Sequence, residues 1–325
     1  MAGACAAQSL ARRGWSVTVL EATPAPASGA SGLPVGLYAP YVSADNNFTS
    51  QITDIGVEFT LGLAKRLLIE GLDWQASGLM TRKYGEREQW FSNAGWIKPA
   101  SLVHACLNQV GVTWRGNCYV QSLSRHGDLW QVIGADKHVL AEVDMVVIAT
   151  SNFSADLLNT VASAPKLDLQ AIRGQVTFGN LQDVKNTSRS GFPVNGNGSY
   201  IETNDAWLVA ASYDRVNLSL EANITDQVEN FERLDSLVPE IAHQLKLTFV
   251  RGDVKNWVGV RCASHDRLPI VGEITNGLWV MTALASRGLT FAPLCAELLA
   301  AQLHDEALPL KPRLVNALSV QRYNK

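Results

Sequence analysis

The sequence predicts a mixed α/β fold in which a parallel-sheet unit is built from both ends of the chain and an antiparallel sheet is inserted between them. Residues 1–13 are rich in Ala and unbranched side chains, as in a helix, and residues 16–21 alternate as in a buried strand. Residues 143–150 are almost continuously apolar, which is typical of a parallel strand buried on both faces. Between residues 172 and 213, short alternating segments are separated by Gly/Asn turns, which indicates an antiparallel sheet.

The remaining elements follow from periodicity and end signals. Gly14 is placed to end the first helix as its C′ residue, and Ser101 is placed to cap a helix over 101–110. Further helices are predicted at 52–70, 225–244 and 292–304, and further strands at 249–260 and 277–282. This order predicts a discontinuous nucleotide-binding domain over 1–75, 100–165 and 250–325, with a substrate domain over 76–99 and 166–249.

Composition excludes several classes of protein. The 325 residues include 27 Lys and Arg against 30 Asp and Glu, a net charge of −3, so binding of nucleic acid by bulk positive charge is excluded. The five cysteines are scattered without a Cys-x-x-Cys pair, which favours reduced thiols in a cytoplasmic protein over disulfides or a metal site. Arg12 and Arg13 interrupt the region where a signal peptide would be apolar. Motifs of P-loop kinases, zinc proteases and serine hydrolases are missing.

Two features resemble half of a dinucleotide-binding fingerprint. Gly3 lies near the start of the first helix, and Glu21 follows 18 residues later at the end of a strand, where an acidic residue binds ribose hydroxyls. Ordinary α/β scaffolding explains the same pattern. The glycine-rich loop 29–36 follows directly and could expose backbone N–H groups to a phosphate or a flat ring, although a flexible loop is the simpler interpretation.

Two later segments are candidates for the chemistry. Residues 285–290 follow a buried strand and begin the last long helix, whose partially positive N-terminus suits the anionic region of a reduced flavin. Arg261 stands at the end of a strand before a turn, where its planar guanidinium could bind a carboxylate. The alternatives are an ordinary strand-to-helix turn and a solvated surface arginine.

Seven segments, taken in order, resemble the FAD-dependent amine oxidoreductases of the glycine and D-amino-acid oxidase superfamily. They are Ser9–Trp15, Gly29–Gly32, Gly95–Pro99, Arg173–Gln175, Asp266–Gly272, Ser286–Leu289 and Leu314–Tyr323. The resemblance runs nearly from end to end and is strongest to the branch that modifies tRNA. It implies a Rossmann-like FAD domain whose first strand and first two glycines lie upstream of Met1 and are missing from this chain.

The resemblance also implies roles for individual residues. Arg261 matches the residue that clamps the substrate carboxylate, Tyr200 matches a tyrosine on the substrate side, and Arg287 lies beside the flavin ring. A cross-strand aromatic pair explains Tyr200 equally well. His265 is better explained as an exposed turn residue than as a base. The implied FAD-binding residues are Gly3, Glu21, Ala22, Gly29, Ala30, Ser31, Gly32, Gly36, Val120, Ala149, Thr150, Arg261, Ser286, Arg287, Gly288, Leu289 and Thr290.

Three functions are compatible with these observations. The first is oxidative cleavage of the carboxymethylaminomethyl group on the wobble uridine of tRNA, which leaves aminomethyl-uridine and releases glyoxylate. The second is an oxidase or dehydrogenase of free glycine, sarcosine or a D-amino acid, because each of these carries the same carboxylate. The third is a flavin-less binding protein, which the missing strand suggests. A tRNA contact is predicted at the acid-free basic residues Lys311, Arg313, Arg322 and Lys325, for which a solvated basic tail is the alternative.

Overall fold

The structure is a computed structural model that describes residues 1–82, 87–162 and 164–323. Its helices are α1 Ala2–Ala11, α2 Phe48–Leu67, α3 Pro99–Leu107, α4 Ser154–Leu158, α5 Ile224–Leu237, α6 Pro239–Arg251, α7 Gly288–Leu303 and α8 Pro312–Leu318. Its strands are β1 Val17–Leu20, β2 Gly36–Tyr38, β3 Trp74–Gln75, β4 Leu79–Thr81, β5 Gln89–Phe91, β6 Gly95–Ile97, β7 Val112–Arg115, β8 Val120–His126, β9 Leu129–Gly134, β10 Val139–Val143, β11 Val146–Ile148, β12 Leu169–Asn180, β13 Val194–Gly196, β14 Gly198–Glu202, β15 Ala206–Ala210, β16 Lys255–Ser264, β17 Ile270–Thr275 and β18 Leu278–Thr282.

Two parallel strand pairs belong to the first unit, and one of them joins the middle of the chain to its C-terminal part. β1 pairs in parallel with β7, and β11 pairs in parallel with β18, which is antiparallel to β17. Within the described residues these are two separate sheets, and α1 contacts strands of both. The apolar α7, with Phe291, Leu294 and Leu298 buried, fills the centre of the core beside α1 and α2.

A seven-stranded, mostly antiparallel sheet forms the second unit, in the order β16-β12-β15-β14-β13-β4-β5. Helices α5 and α6 pack on it through a cluster that contains Trp207, Leu234 and Leu245. The turn predicted at residues 195–198 forms a hairpin in which Gly196 pairs with Gly198. Two three-stranded sheets, β2-β6-β3 and β10-β9-β8, complete the mixed α/β fold.

Two predicted helix boundaries differ from the observed ones because other residues occupy the N-cap positions. Helix α3 begins at Pro99, with Lys98 at its N-cap, so Ser101 lies inside the helix and does not cap it. Helix α2 begins four residues earlier than predicted, because the Asn47 side chain accepts a hydrogen bond from the backbone N–H of Ser50 at 3.1 Å.

Three other predicted segments differ from the observed helices and strands. The helix predicted over 225–244 is two helices, since Pro239 cannot continue α5 and instead begins α6. Phe249 was assigned to a strand but belongs to α6, which ends at Gly252 in the left-handed conformation. Residues 143–150 contain the end of the hairpin strand β10 and then the short parallel strand β11.

The strand that carries Arg261 belongs to the antiparallel unit. β16 lies inside the range 250–325 of the predicted nucleotide-binding domain, yet it pairs with β12 along ten residues and forms an edge of the seven-stranded sheet. The seven-stranded sheet therefore includes a strand from the C-terminal part of the chain.

All five cysteines are buried and free. In the ranges 1–82, 87–162 and 164–323, no helix is long and apolar enough to cross a bilayer, and no cluster of three or more His, Cys, Asp or Glu side chains is arranged to hold a metal ion.

Candidate active site

Arg261 occupies a space that a glycine on the adjacent strand leaves open. It lies on β16 opposite Ile172, and a Cβ atom placed on the neighbouring Gly174 would come within 1.9 Å of Arg261 Nη2. Burial lowers the pKa of the Arg261 guanidinium, and no described residue gives that guanidinium an ion pair or a hydrogen bond. A desolvated and unpaired cation of this kind favours an anionic ligand.

A second unpaired arginine lies near the first. The Arg287 guanidinium is 4.8 Å from the ring centre of Tyr41, and the Arg261 guanidinium is 5.7 Å from the ring centre of Tyr213. Burial lowers the pKa of Arg287, with Tyr41, Arg267 and Tyr213 among the neighbours that act on it. No carboxylate in the described ranges pairs with the Arg287 side chain. Both arginines are therefore half-buried beside an aromatic ring, and Tyr213 lies near both of them.

The N-terminus of α7 adds positive potential beside Arg287. Arg287 is the N-cap and no side chain caps the first turn, so its backbone N–H groups remain available. The turn is held in position by α2, because Thr60 Oγ1 donates to the Leu289 carbonyl at 2.8 Å. Such a turn stabilises negative charge that develops on a neighbouring ligand.

The close approach of α2 and α7 gives a testable prediction. A Cβ on Gly56 would lie 2.4 Å from the Thr290 carbonyl oxygen, whereas a Cβ on Gly62 of the same helix has nothing within 4 Å. We expect Gly56→Ala to destabilise the protein by about 1–3 kcal/mol, as overpacking does, because α7 must move. Gly62→Ala is the matched control and should be neutral or stabilising. Denaturant titrations measure both, and equal unfolding free energies for the two variants would contradict the prediction.

The glycine-rich loop lies against the strand that carries Arg261. Residues Ala30–Gly32 form a 3-10 turn that contacts β16 and α3. A Cβ on Gly32 would lie 2.7 Å from the Ala27 carbonyl oxygen and 3.5 Å from Nε1 of Trp257. A Cβ on Gly36 would meet Leu289 at 2.9 Å. The loop, β16 and the start of α7 therefore share one region, as a flat ring held between them would require.

Several residues predicted for the adenosine end are neighbours in the structure. A Cβ on Gly3 would be 3.5 Å from the Ala149 Cβ, so these two residues are neighbours. Glu21 follows β1, and its Oε1 accepts from the N–H and the hydroxyl of Thr23 at 3.1 and 3.0 Å. The Glu21 carbonyl accepts from the Cys118 N–H at 2.8 Å, which fixes the segment leading to Val120 beside it. These residues fit the adenosine end of FAD, and those around Arg261 fit its ring end.

Other members of the predicted set occupy the edges of these regions. Ala22 and Gly29 are exposed next to Glu21 and the 3-10 turn, and Ser286 is exposed in the turn before α7. The Thr150 hydroxyl is 3.2 Å from that of Ser154 and follows Ala149 in the turn after β11. Gly288 is the first residue of α7.

Tyr200 is not brought to the site. Its side chain has no exposed surface, its hydroxyl donates to Glu202 Oε1 at 2.8 Å, and it packs in the cluster under α5 and α6. Its cross-strand partners are Val194 and Val209, so the aromatic pair suggested as an alternative is also not observed. Tyr200 is thus a core residue without a surface that a substrate could contact.

The basic residues near the C-terminus separate into two groups. Arg322 is held by Asp266 at 3.0 Å and donates to the carbonyls of Leu268 and Pro269, so it braces a turn and does not face solvent as a free cation. Lys311 and Arg313 are exposed. Lys325 lies outside the described residues. His265 is exposed in a turn, as expected.

Three aromatic residues at the site were missed from sequence. Tyr213 follows the last strand of a hairpin, Tyr41 lies in a loop, and Trp257 precedes Arg261 by four residues on β16. Only Trp257 carried a usable signal, since alternate residues of a strand share a face and Arg261 was already a candidate. The two tyrosines reach the site through tertiary packing alone.

Comparison with known proteins gives the family. The family described as "DAO: FAD dependent oxidoreductase" matches residues 1–90 and 81–302. The tRNA 5-methylaminomethyl-2-thiouridine biosynthesis bifunctional protein MnmC of a Polaromonas species is 41% identical over 369 residues, covering 99% of this chain and 58% of that protein. The protein of the same name from Delftia acidovorans is 35% identical over 386 residues, covering 100% of this chain and 60% of the relative. The chain therefore spans about three fifths of the length of these relatives.

Solved structures agree on the fold. Glycine oxidase from Geobacillus kaustophilus superposes with a TM-score of 0.81 at 16% identity, covering 99% of this chain and 96% of that one. L-proline dehydrogenase from P. horikoshii gives 0.79 at 14% identity, covering 99% and 95%. With the family match extending along most of the sequence, the chain belongs to the DAO family of FAD dependent oxidoreductases.

Proposed function

We propose that this chain oxidises an N-substituted glycine, the carboxymethylaminomethyl group on the wobble uridine of tRNA, to give aminomethyl-uridine and glyoxylate. The observation that carries the proposal is the half-buried Arg261 guanidinium, whose pKa is lowered by burial and which has no anionic partner among the described residues. The names of relatives at 41% and 35% identity refer to 5-methylaminomethyl-2-thiouridine biosynthesis on tRNA, which supports this substrate over a free amino acid.

In this proposal the substrate carboxylate binds Arg261. The guanidinium offers a planar set of donors that matches a carboxylate, and its position is fixed because β16 pairs with β12 along its full length. The Tyr213 ring covers one side of the guanidinium and limits its access to water. The substrate methylene group then lies between Arg261 and the turn before α7, since that turn contacts β16.

The residues around the site would hold FAD at its two ends. Gly3, Glu21 and Ala149 would contact the adenosine end, and Gly32 with the first turn of α7 would contact the ring. When bound, FAD supplies the acceptor for the hydride that leaves the carbon beside the substrate nitrogen. The uncapped N–H groups of α7 and the Arg287 guanidinium would stabilise negative charge next to that ring.

The overall conversion balances with one water molecule. The CH₂–NH unit of the substrate loses a hydride and a proton and becomes an imine. Water adds to the imine carbon, and the C–N bond breaks to give the primary amine on uridine and the aldehyde of glyoxylate. No titratable side chain of this chain is required as a base, because a neutral amine already carries the lone pair that assists loss of the hydride.

A comparison of substrates tests the proposal. The purified chain is given FAD and then tRNA that carries carboxymethylaminomethyl-uridine, or glycine, sarcosine or D-alanine at matched concentration. We expect glyoxylate and aminomethyl-uridine from the tRNA at a kcat/KM well above the values for the three free amino acids. The reverse order would identify a free amino-acid oxidase or dehydrogenase instead.

The absorbance of the purified protein tests cofactor binding separately. We expect flavin bands in the visible range, either as isolated or after incubation with FAD and gel filtration. A colourless protein that does not take up FAD would contradict catalysis by this chain and support the flavin-less alternative.

A further inference from the structure

A groove of about 390 Å³ lies between the loop before α2 and the start of α8. Tyr41, Ser43 and Ser50 form one side, and Lys311 and Arg313 form the other. None of these residues belongs to the set predicted to bind FAD. The groove therefore needs a separate explanation.

Lys311 and Arg313, the two cations of the groove, differ from Arg322 because they have no acidic partner among the described residues. The Arg313 guanidinium donates to the Gln51 amide oxygen, and Gln51 Nε2 donates to the Asn46 carbonyl at 2.6 Å, so Arg313 is oriented without being neutralised. The Lys311 ammonium has no ion pair or hydrogen bond in the described ranges. Arg322, by contrast, is neutralised by Asp266.

Tyr41 joins this groove to the active site. Its ring lies 4.8 Å from the Arg287 guanidinium and also lines the groove. Its backbone N–H donates to Thr53 Oγ1 at 2.8 Å, and the Ser43 N–H donates to Ser50 Oγ at 3.0 Å. These bonds attach the loop to α2, so the groove is formed before any ligand binds.

We propose that this groove binds the single-stranded RNA that adjoins the modified nucleotide, with a phosphate between Lys311 and Arg313 and a base or sugar against Tyr41. The inference rests on the proposed function and extends it by giving the polynucleotide a path to the site. The chemistry is that of other single-strand binders, which combine cations that contact phosphates with aromatic rings that contact bases. The exposed Asn46 side chain on the wall suits the sugar and the phosphate oxygens.

Direct binding of unmodified tRNA to the 325-residue chain tests this without catalysis. We expect the double variant Lys311→Ala/Arg313→Ala to bind tRNA about tenfold more weakly, and the slope of log affinity against log salt to fall by about 0.7, as loss of one phosphate contact on a single strand predicts. With modified tRNA, the loss is expected in KM, with kcat unchanged. Lys246→Ala/Arg251→Ala on α6 is the matched control and should bind like the wild type.

A gain of affinity provides a readout that misfolding would not produce. Asp54 also lines the groove and would repel a phosphate, so Asp54→Asn should tighten tRNA binding by about 1.5- to 5-fold, the size of one exposed charge interaction. Binding that is insensitive to both the double variant and Asp54→Asn would overturn the inference while leaving oxidation of tRNA intact. A wild-type chain that binds no tRNA would overturn the inference together with the proposed tRNA substrate.

Discussion

Replacing Arg261 with glutamine is expected to lower kcat/KM for the carboxylate-bearing substrate by about 100-fold, or about 2.7 kcal/mol, the size of the loss when one partner of a buried charged hydrogen bond is removed. The physical reason is that the substrate carboxylate would enter a partly desolvated space without its counter-charge. Steady-state kinetics with the best substrate of the panel measure the effect.

A second variant separates position from charge. Gly174→Ala keeps the arginine but places a methyl group where its Nη2 lies, so it should cause a loss in the same direction. Arg251→Gln on the exposed end of α6 is the control for loss of one positive charge and should leave kcat/KM unchanged. Wild-type kinetics in Arg261→Gln would remove this residue from the site.

Replacing Arg173 with methionine is expected to destabilise the protein by about 3–5 kcal/mol, because it leaves a buried carboxylate without its partner. Arg173 has no exposed surface, pairs with Asp226, and donates to the Glu221 carbonyl at 2.7 Å. It therefore holds the loop between β15 and α5, which contains Tyr213. Denaturant titration measures the loss of unfolding free energy.

The double variant distinguishes burial of an unpaired charge from loss of packing. Arg173→Met/Asp226→Leu should be more stable than Arg173→Met alone, since replacing both partners of a buried pair with apolar residues is often close to neutral. Arg233→Met on α5 is the control, because its ion pair with Glu229 is partly exposed and should contribute less than about 1 kcal/mol. A double variant that is less stable than the single one would argue against an electrostatic cause.

The parts of the fold that sequence predicted are those fixed by local periodicity. The helix and strand at the N-terminus, the hairpin at residues 195–198 and the apolar α7 have patterns that tertiary contacts reinforce. The boundaries failed where a single residue decided the matter, as Asn47 does for α2 and Pro239 does between α5 and α6. A cap or a break depends on one side chain, whereas a periodic pattern is averaged over many residues. The pattern therefore does not locate the boundary.

The part of the site that could be predicted consists of residues with a recognisable signal in the sequence. A strand-end arginine and a turn before a helix are visible in sequence, and the structure brings Arg261 and Arg287 close to Tyr213. The tyrosines were not visible, because their loops reach the site only after both sheets have formed. Tyr200 was misplaced for the opposite reason: a strand of alternating residues does not reveal which of its two faces is covered by α5 and α6.

In the proposed function, Arg261 on the seven-stranded sheet and Arg287 at the start of α7 would divide substrate recognition between two parts of the fold. Arg261 belongs to the seven-stranded sheet, and Arg287 follows β18 in the parallel unit. Only residues 265–269 link β16 to β17, and this link is braced by Asp266, which accepts from Ser264 and from Arg322. If the proposed function holds, this link would act as a spacer that sets the distance between the anchored carboxylate and the carbon to be oxidised. We then expect that loosening the spacer would leave binding of the carboxylate intact and reduce only the fraction of bound substrate that is aligned to react.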